Sequence, residues 1–137
     1  MSNCIQSINH SQIKCEEKQS KFILLNPQRK MVDYITVDSC IYPCGHHGLC
    51  CDYALNFDNR TLFLELKGSD IAHAIKQILA TEQDAKFTIN TNKTAIIITS
   101  KTPKNDLSLQ NQKVKLKKRH INLIQRNSRF EKDIAEF

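Results

Sequence analysis

Residues 52–67 read DYALNFDNRTLFLELK, and this stretch decides the fold. Its two halves, CDYALNF (51–57) and TLFLELK (61–67), are rich in apolar and aromatic residues and flank the turn sequence DNR, which predicts a β-hairpin. An aspartate stands near the start of the first strand, while Glu65 and Lys67 end the second. Isolated charges are costly to bury, so three charged residues on strands that pack through their faces suggest a shared role.

The expected hairpin register brings the three charged side chains together. A two-residue loop at Asn59 and Arg60 puts Asp52 opposite Lys67, and residues that face each other across a hairpin share one face of the sheet. Glu65 lies two residues before Lys67 and projects from the same face. This prediction depends on the register, because a one-residue slip would move Asp52 to the other face.

Two carboxylates on neighbouring strand ends suit a hard divalent cation. Magnesium prefers oxygen ligands and keeps several water molecules for chemistry. A lysine beside the ion can help to form hydroxide from one of these waters, or can stabilise the charge that develops when the water attacks phosphorus. The alternative is a solvated hairpin end, where Glu65 and Lys67 form a cross-face pair worth about 0.2–1 kcal/mol.

An Asp on one strand, a tight turn, Glu-x-Lys at the end of the next strand and a following helix together resemble the PD-(D/E)xK nuclease superfamily. Asp52, Glu65 and Lys67 match its acidic positions and its lysine, with Cys51 in place of the motif's proline. The resemblance implies an α/β (α+β) fold of the restriction-endonuclease-like type, a central mixed β-sheet flanked by helices. It also implies that Asp52, Glu65 and the main-chain carbonyl of Leu66 bind magnesium or manganese, and that Lys67 assists the attacking water.

A helix is predicted after the hairpin. Ser69 or Asp70 can cap it, and an amphipathic pattern continues to about Gln83. Gln77 resembles a polar helix residue that points into the site in several branches of the superfamily; a solvated helix flank is the alternative for it and for His73. The residues expected to be buried beneath this helix and within the sheet are Leu64, Leu66, Ile75, Ile78, Ile97 and Ile98.

The remaining elements are assigned more coarsely, within a single nuclease-like domain spanning residues 1–137. Residues 1–20 could form a short helix, and in the superfamily an acidic residue of the first helix often completes the metal shell, so Glu16 or Glu17 is a candidate. Residues 38–48 are expected to form a loop. Further strands are predicted at KFILL (21–25), MVDYITV (31–37), KFTIN (86–90), TAIIITS (94–100) and INLIQR (121–126).

Six cysteines are many for 137 residues, and four of them lie within residues 40–51. In a reducing compartment we expect thiols or metal ligands before disulfides. Cys40, Cys44, His46 and Cys50 offer soft ligands for a structural zinc ion. The spacing lacks the paired C-x-x-C knuckles of zinc ribbons, which favours a loop that leads into the hairpin over a zinc site.

The charge balance favours an acidic partner, because the net charge is +6 and the pI is about 9.1. Nucleic acid is expected before membrane, since no apolar run approaches the roughly 18 residues of a membrane span. The start of the chain lacks the apolar stretch of a secretory signal, so we expect a cytosolic (cytoplasmic) protein. A basic cluster near the end is predicted to contact phosphates, with a solvated surface as the alternative; it contains Lys113, Lys115, Lys117, Lys118 and Arg119.

These features lead to one functional hypothesis and two alternatives. The first is a magnesium-dependent endonuclease that hydrolyses phosphodiester bonds of DNA, of a restriction or defence type or of a junction-resolving type, forming a homodimer if both strands are cut. The second is a non-catalytic nucleic-acid-binding or regulatory module on the same scaffold, which the intact acidic and lysine positions argue against. The third is a zinc-stabilised interaction protein, which metal analysis would detect. The residues do not decide between DNA and RNA.

Overall fold

The described part of the chain forms nine strands and two helices. The computed structural model describes residues 4–41, 50–66, 70–84, 90–100 and 107–137. The helices are α1 (Ile71–Asp84) and α2 (Leu107–Lys118), and a short 3-10 helix covers Ile134–Glu136. The strands are β1 (Ile5–Ile8), β2 (Gln12–Glu17), β3 (Ser20–Leu25), β4 (Val32–Thr36), β5 (Tyr53–Phe57), β6 (Arg60–Glu65), β7 (Asn92–Thr99), β8 (Ile121–Asn127) and β9 (Arg129–Asp133).

Within these residues the strands form two mixed sheets. The larger has the order β1-β4-β5-β6-β7-β8, and the smaller has the order β2-β3-β9. Strands β4, β5 and β6 form an antiparallel meander, whereas β6, β7 and β8 run parallel. Parallel neighbours need crossover connections, and α1 and α2 lie within these connections. The predicted α+β class with a mixed sheet is confirmed.

The predicted hairpin is confirmed, but its turn lies one residue earlier than expected. The loop is Asp58–Asn59, and both residues have positive φ values of 47° and 60°, as a type I′ turn requires. Tyr53 therefore pairs with Leu64, which puts Asp52 near the level of Glu65 instead of the lysine two residues beyond. The register differs from the predicted one by two residues, so the paired residues from Tyr53 to Phe57 keep their predicted faces.

The two faces of the larger sheet are covered differently. Helices α1 and α2 pack on the face that includes Phe63 and Ile97. The smaller sheet packs on the other face, against Leu62 and Leu64. Helices thus flank the central sheet on one side, and a second sheet occupies the other. The six side chains predicted to be buried are all buried, namely Leu64, Leu66, Ile75, Ile78, Ile97 and Ile98.

The prediction of a helix within residues 1–20 is wrong. In β2 every second side chain is buried, including Ile13 and Cys15, which is the period of a strand that pairs with β3. The strands predicted at 21–25 and 31–37 are present as β3 and β4, in different sheets. The strand predicted at 86–90 lies outside the described residues except for Asn90, which is not in a strand.

Ile75 provides a test of the packing between α1 and the sheet. Its side chain is fully buried in the helix-covered core, so Ile75→Ala should lower the free energy of unfolding by about 2–5 kcal/mol. Lys76 is exposed on the same helix, and Lys76→Ala should change it by less than about 0.5 kcal/mol. Denaturant unfolding of both variants measures the difference. Equal effects would show that the helix face is assigned wrongly.

Candidate metal centre

Asp52 is held at the start of β5 by its main chain. Its N–H donates to the carbonyl of Leu64 at 3.0 Å, and its own carbonyl accepts from the N–H of Val37 at 3.1 Å. Leu64 is also the register partner of Tyr53, so two residues of one strand face a single residue of the other, the arrangement of a β-bulge. Such bulges turn a side chain away from the regular pleat.

The side chain of Asp52 reaches the end of β6. Its Oδ2 accepts a hydrogen bond from the main-chain N–H of Leu66 at 2.8 Å. Asp52 and the main chain of Leu66 are therefore in contact at the joined ends of β5 and β6, directly after Glu65. Asp52 is only 4% exposed and Glu65 only 2% exposed, which argues against the alternative of a solvated hairpin end.

Two buried thiols lie within electrostatic reach of both carboxylates. Burial, reinforced by the carboxylates of Asp38, Glu65 and Asp52, raises the pKa of the Cys50 thiol to about 12. Burial also raises the pKa of the Cys51 thiol; a hydrogen bond with Thr81 opposes this shift, while Glu65 and Asp52 add to it. Both cysteines are thus held as neutral thiols beside the acidic pair.

Helix α1 begins and packs beside this centre. The Asp70 carboxylate caps it by accepting from the N–H of His73 at 3.0 Å, which agrees with the predicted cap. Gln77 Nε2 donates to the carbonyl of Cys50 at 3.1 Å, and Thr81 Oγ1 accepts from the N–H of Cys51 at 2.9 Å. The helix therefore fixes the main chain just before Asp52, which gives Gln77 a positioning role. His73 is exposed.

Glu16 and Glu17, the other acidic residues predicted as possible metal ligands, lie on a strand and not on a helix. Glu16 is exposed on β2 and pairs with Lys21 at 3.4 Å. Glu17 Oε2 accepts a hydrogen bond from the Tyr53 hydroxyl at 3.2 Å. Both residues belong to a strand of the smaller sheet, so the prediction that a first helix carries them is wrong. Lys67 lies outside the described residues.

Asp38 is an acidic neighbour that the sequence reasoning missed. Its N–H lies 3.4 Å from the carbonyl of Asp52, and its Oδ1 accepts a hydrogen bond from Cys50 Sγ at 3.6 Å. The residue follows β4, which pairs with β5, so strand pairing brings it here. The sequence predicts that Asp38 lies in a loop, and a loop pattern does not indicate which strand its residues will lie beside.

The predicted zinc ligands are not assembled in the described residues. Cys40 forms a disulfide with Cys4, so the expectation that it is a thiol or a metal ligand is wrong. Strand β1 pairs with β4 and brings Cys4 alongside the turn that follows β4. Cys50 is a buried free thiol, as is Cys15. Cys44 and His46 lie outside the described residues.

Reduction tests the contribution of this disulfide. The bond closes a loop with a sequence separation of 36 residues, and removing a crosslink over such a loop should lower the free energy of unfolding by about 2–4 kcal/mol. We expect the same loss from dithiothreitol treatment and from the double variant Cys4→Ser with Cys40→Ser. The double variant serves as the control, because reductant should not destabilise it further. A wild-type midpoint of denaturation that is unchanged by reductant would contradict the assignment.

The basic cluster lies on α2 and directly after it, and it has two parts. Lys113, Lys115, Lys117 and Lys118 are exposed. Arg119, in contrast, pairs with the buried Glu82, which also accepts from Lys93 Nζ at 2.7 Å. Burial raises the pKa of Glu82, but hydrogen bonds from Arg119 and Lys93 outweigh this and hold the pKa below its usual value. Arg119 therefore anchors α2 to α1 and β7.

The exposed lysines and the acidic pair lie at different ends of the parallel strands. Lys93, near the start of β7, and Arg119, directly after α2, both pair with Glu82. Glu65, in contrast, pairs with Ile97, four residues further along β7. Four residues of strand separate these levels by roughly 13 Å, at about 3.3 Å per residue. Any nucleic acid that contacts both regions must cross the sheet from its amino ends towards its carboxyl ends.

The comparisons with known proteins do not assign this arrangement to a family. No family model matches the chain, and no curated protein or solved structure matches it. None of the helices in the described residues is both long and apolar enough to cross a membrane.

The donor set of the centre fits a hard cation. Carboxylate oxygens from Asp52 and Glu65 and the main chain at Leu66 are the ligand types that magnesium prefers. Neighbouring carboxylates repel each other, and a divalent cation between them would offset this repulsion. The described residues contain no group of three or more His, Cys, Asp and Glu side chains placed to hold a metal ion, and this two-carboxylate centre is not such a group.

Proposed function

We propose that this chain is a magnesium-dependent endonuclease that hydrolyses phosphodiester bonds of DNA. The observation that carries the proposal is the buried pair Asp52 and Glu65 at the joined ends of β5 and β6, with Asp52 Oδ2 bonded to the N–H of Leu66. Two acidic residues with this burial in a chain of net charge +6 suit a metal centre that acts on a polyanion.

The local order of elements supports a restriction-endonuclease-like fold for this domain. Strand β5, a tight turn, strand β6 and helix α1 follow one another as in the PD-(D/E)xK pattern. Helix α1 packs over the sheet and fixes the main chain beside Asp52 through Gln77. The sheet that replaces helices on the opposite face is a departure from the expected architecture.

Each residue of the centre has a distinct task in the proposed reaction. When bound, magnesium would activate a water molecule and stabilise the charge that develops on the phosphate. Asp52 and Glu65 would hold the ion, together with the carbonyl of Leu66. Lys67 would stabilise the attacking hydroxide or the transition state by its charge. Gln77 would act indirectly, by holding the carbonyl of Cys50 and so the start of β5.

The exposed lysines of α2 would bind phosphates without reading sequence. They lie away from the acidic pair, so their contribution would be to affinity and not to the chemical step. One centre per chain cuts one strand, so cleavage of both strands of a duplex would need two copies of the chain. A non-catalytic binding module would use the same lysines but would not need the acidic pair.

The substitution Asp52→Asn tests the metal centre. Asparagine keeps an oxygen that can accept from the N–H of Leu66, so the fold should survive, while metal affinity and cleavage should be lost. Unfolding stability without metal should stay the same or rise, because one of two neighbouring negative charges is removed. The measurements are calorimetric magnesium or manganese titration and cleavage of plasmid, linear, branched and single-stranded DNA, with an RNA strand for comparison.

Asp58→Asn is the matched control, since it makes the same change at the other end of the same hairpin, in an exposed turn. It should bind metal and cleave like the wild type. Lys67→Ala should retain metal binding but lower kcat, because the lysine acts mainly on the transition state. A wild type that binds no divalent ion at millimolar concentration, or an Asp52→Asn variant that cleaves normally, would refute the proposal.

A separate prediction concerns the exposed lysines of α2. Replacing Lys115, Lys117 and Lys118 with glutamine should weaken binding to duplexes of every sequence and reduce the salt slope by up to about 0.9 for each phosphate that is no longer neutralised. The control replaces three lysines that are exposed elsewhere, Lys14, Lys18 and Lys30. Equal salt slopes for the two triple variants would show that α2 makes no specific contribution.

A further inference from the structure

Polar residues replace apolar ones at the carboxyl ends of three neighbouring parallel strands. Glu65 stands at the end of β6, Thr99 at the end of β7, and Gln125 and Asn127 at the end of β8. Alternate residues of a strand share a face, so all four lie on the helix-covered face of the sheet. The preceding residues on that face are Phe63, Ile97 and Leu123, which belong to the helix-side core.

The strand register puts this polar row beside the candidate metal centre. Glu65 pairs with Ile97, and Ile97 pairs with Gln125. Gln125 therefore lies at the level of Glu65 and two strands away, which is roughly 10 Å at about 4.8 Å per strand. The row therefore stands at the carboxyl edge of the parallel strands, the same edge as Glu65.

Side-chain hydrogen bonds join three members of the row, Thr99, Gln125 and Asn127, into one cluster. Thr99 Oγ1 donates to Asn127 Oδ1 at 2.8 Å and accepts from Gln125 Nε2 at 3.0 Å. Gln125 Nε2 also lies 3.1 Å from Asn127 Oδ1. Thr99 is buried, Gln125 is half-buried and Asn127 is exposed. The buried threonine thus orients two amides that reach the surface.

The main chain around the cluster is fixed as well. Ser128 has a φ of 63° and passes the chain from β8 into β9. Its N–H donates to the carbonyl of Thr99 at 2.8 Å, and its carbonyl accepts from the N–H of Lys21 at 2.9 Å. A binding group held by packed strands and hydrogen bonds loses little freedom when a ligand binds.

A cation stands between the two amides in the chain. The guanidinium of Arg126 lies 5.0 Å from the centre of the Phe130 ring and donates through Nη1 to the carbonyl of Gln125 at 2.8 Å. Arg126 is exposed, and by the alternation of β8 it lies on the opposite face of the sheet from Gln125 and Asn127, over Phe130 of β9. The amide and hydroxyl groups of the row complement the bases, sugars and phosphates of a nucleic-acid strand.

We infer that Gln125 and Asn127, oriented by Thr99, bind the nucleotides that flank the phosphodiester at the Asp52 and Glu65 centre. This inference rests on the proposed function. The nucleic-acid strand would run along the carboxyl edge of β6, β7 and β8. At an axial rise of about 3.4 Å per nucleotide, the row lies roughly three nucleotides from the bond to be cut. Gln125 and Asn127 would thus set the preferred sequence on one side of that bond.

The test compares Gln125→Ala with Asn127→Ala, alone and together, on DNA pools that are randomised around a cleavage window. KM should rise roughly tenfold for the double variant while kcat stays near the wild-type value, because removing the two amides weakens binding without touching the reacting atoms. The cleavage preference about three nucleotides from the cut should flatten. Asn122→Ala is the matched control, since Asn122 is exposed near the other end of β8.

Thr99→Val tests the positioning role of the hydroxyl. This variant keeps the shape of the side chain but removes both hydrogen bonds, so it should flatten the cleavage preference in part and leave metal affinity unchanged. Thermal melting identifies variants that simply fail to fold. The inference would be overturned if a folded Gln125→Ala, Asn127→Ala double variant kept the wild-type KM and cleavage preference. It would also be overturned if Asn122→Ala changed KM and the cleavage preference as much as the double variant does.

A binding assay separates this inference from the proposed function. Dissociation constants for single-stranded and duplex oligonucleotides are measured in the Asp52→Asn background, with and without the double substitution. If the wild type never cleaves, the endonuclease proposal fails, yet a roughly tenfold weakening of binding in the double variant would still support the path of the strand. If the wild type cleaves and binding is unaffected by the double substitution, the inference alone fails.

Discussion

The register of the β5–β6 hairpin is the constraint on which the candidate centre depends. Two positive φ angles at Asp58–Asn59 fix which residues face each other at the far end of the hairpin. There the bulge at Asp52 turns a carboxylate towards the N–H of Leu66, beside Glu65. One additional residue in the turn would shift the strand pairing by one residue and move every side chain of one strand to the opposite face of the sheet. The carboxylates of Asp52 and Glu65 would then be separated.

Much of the centre could be predicted from the sequence because the residues that form it lie close together in the chain. A turn dipeptide between two apolar runs, and acidic residues at their outer ends, specify both the hairpin and the shared face. The loop lies one residue earlier than predicted, but the resulting register shift of two residues preserves the alternation of the paired side chains, and Asp52 still meets the end of β6 at Leu66. The cap at Asp70 and the buried stripe that includes Ile75 and Ile78 were equally local.

The parts that could not be predicted depend on contacts between distant segments. Glu17 was assigned to a helix because its neighbourhood shows no strong pattern, yet β2 becomes a strand by pairing with β3 and by covering the outer face of the large sheet. Asp38 and Cys4 reached their positions through strand pairing. The lysines of α2 were identified as basic, but their distance from Glu65 follows only from the direction of the parallel strands.

Strand β9 completes the smaller sheet from the far end of the chain. Its first residue, Arg129, pairs with Lys21, more than a hundred residues earlier. During synthesis, therefore, the main-chain groups on one edge of β3 are paired only after residues 129–133 have been added. Exposed strand edges are templates for association with other chains. Strand β9 thus covers an edge of β3 that would otherwise be open, and its Phe130 packs on the core between the two sheets.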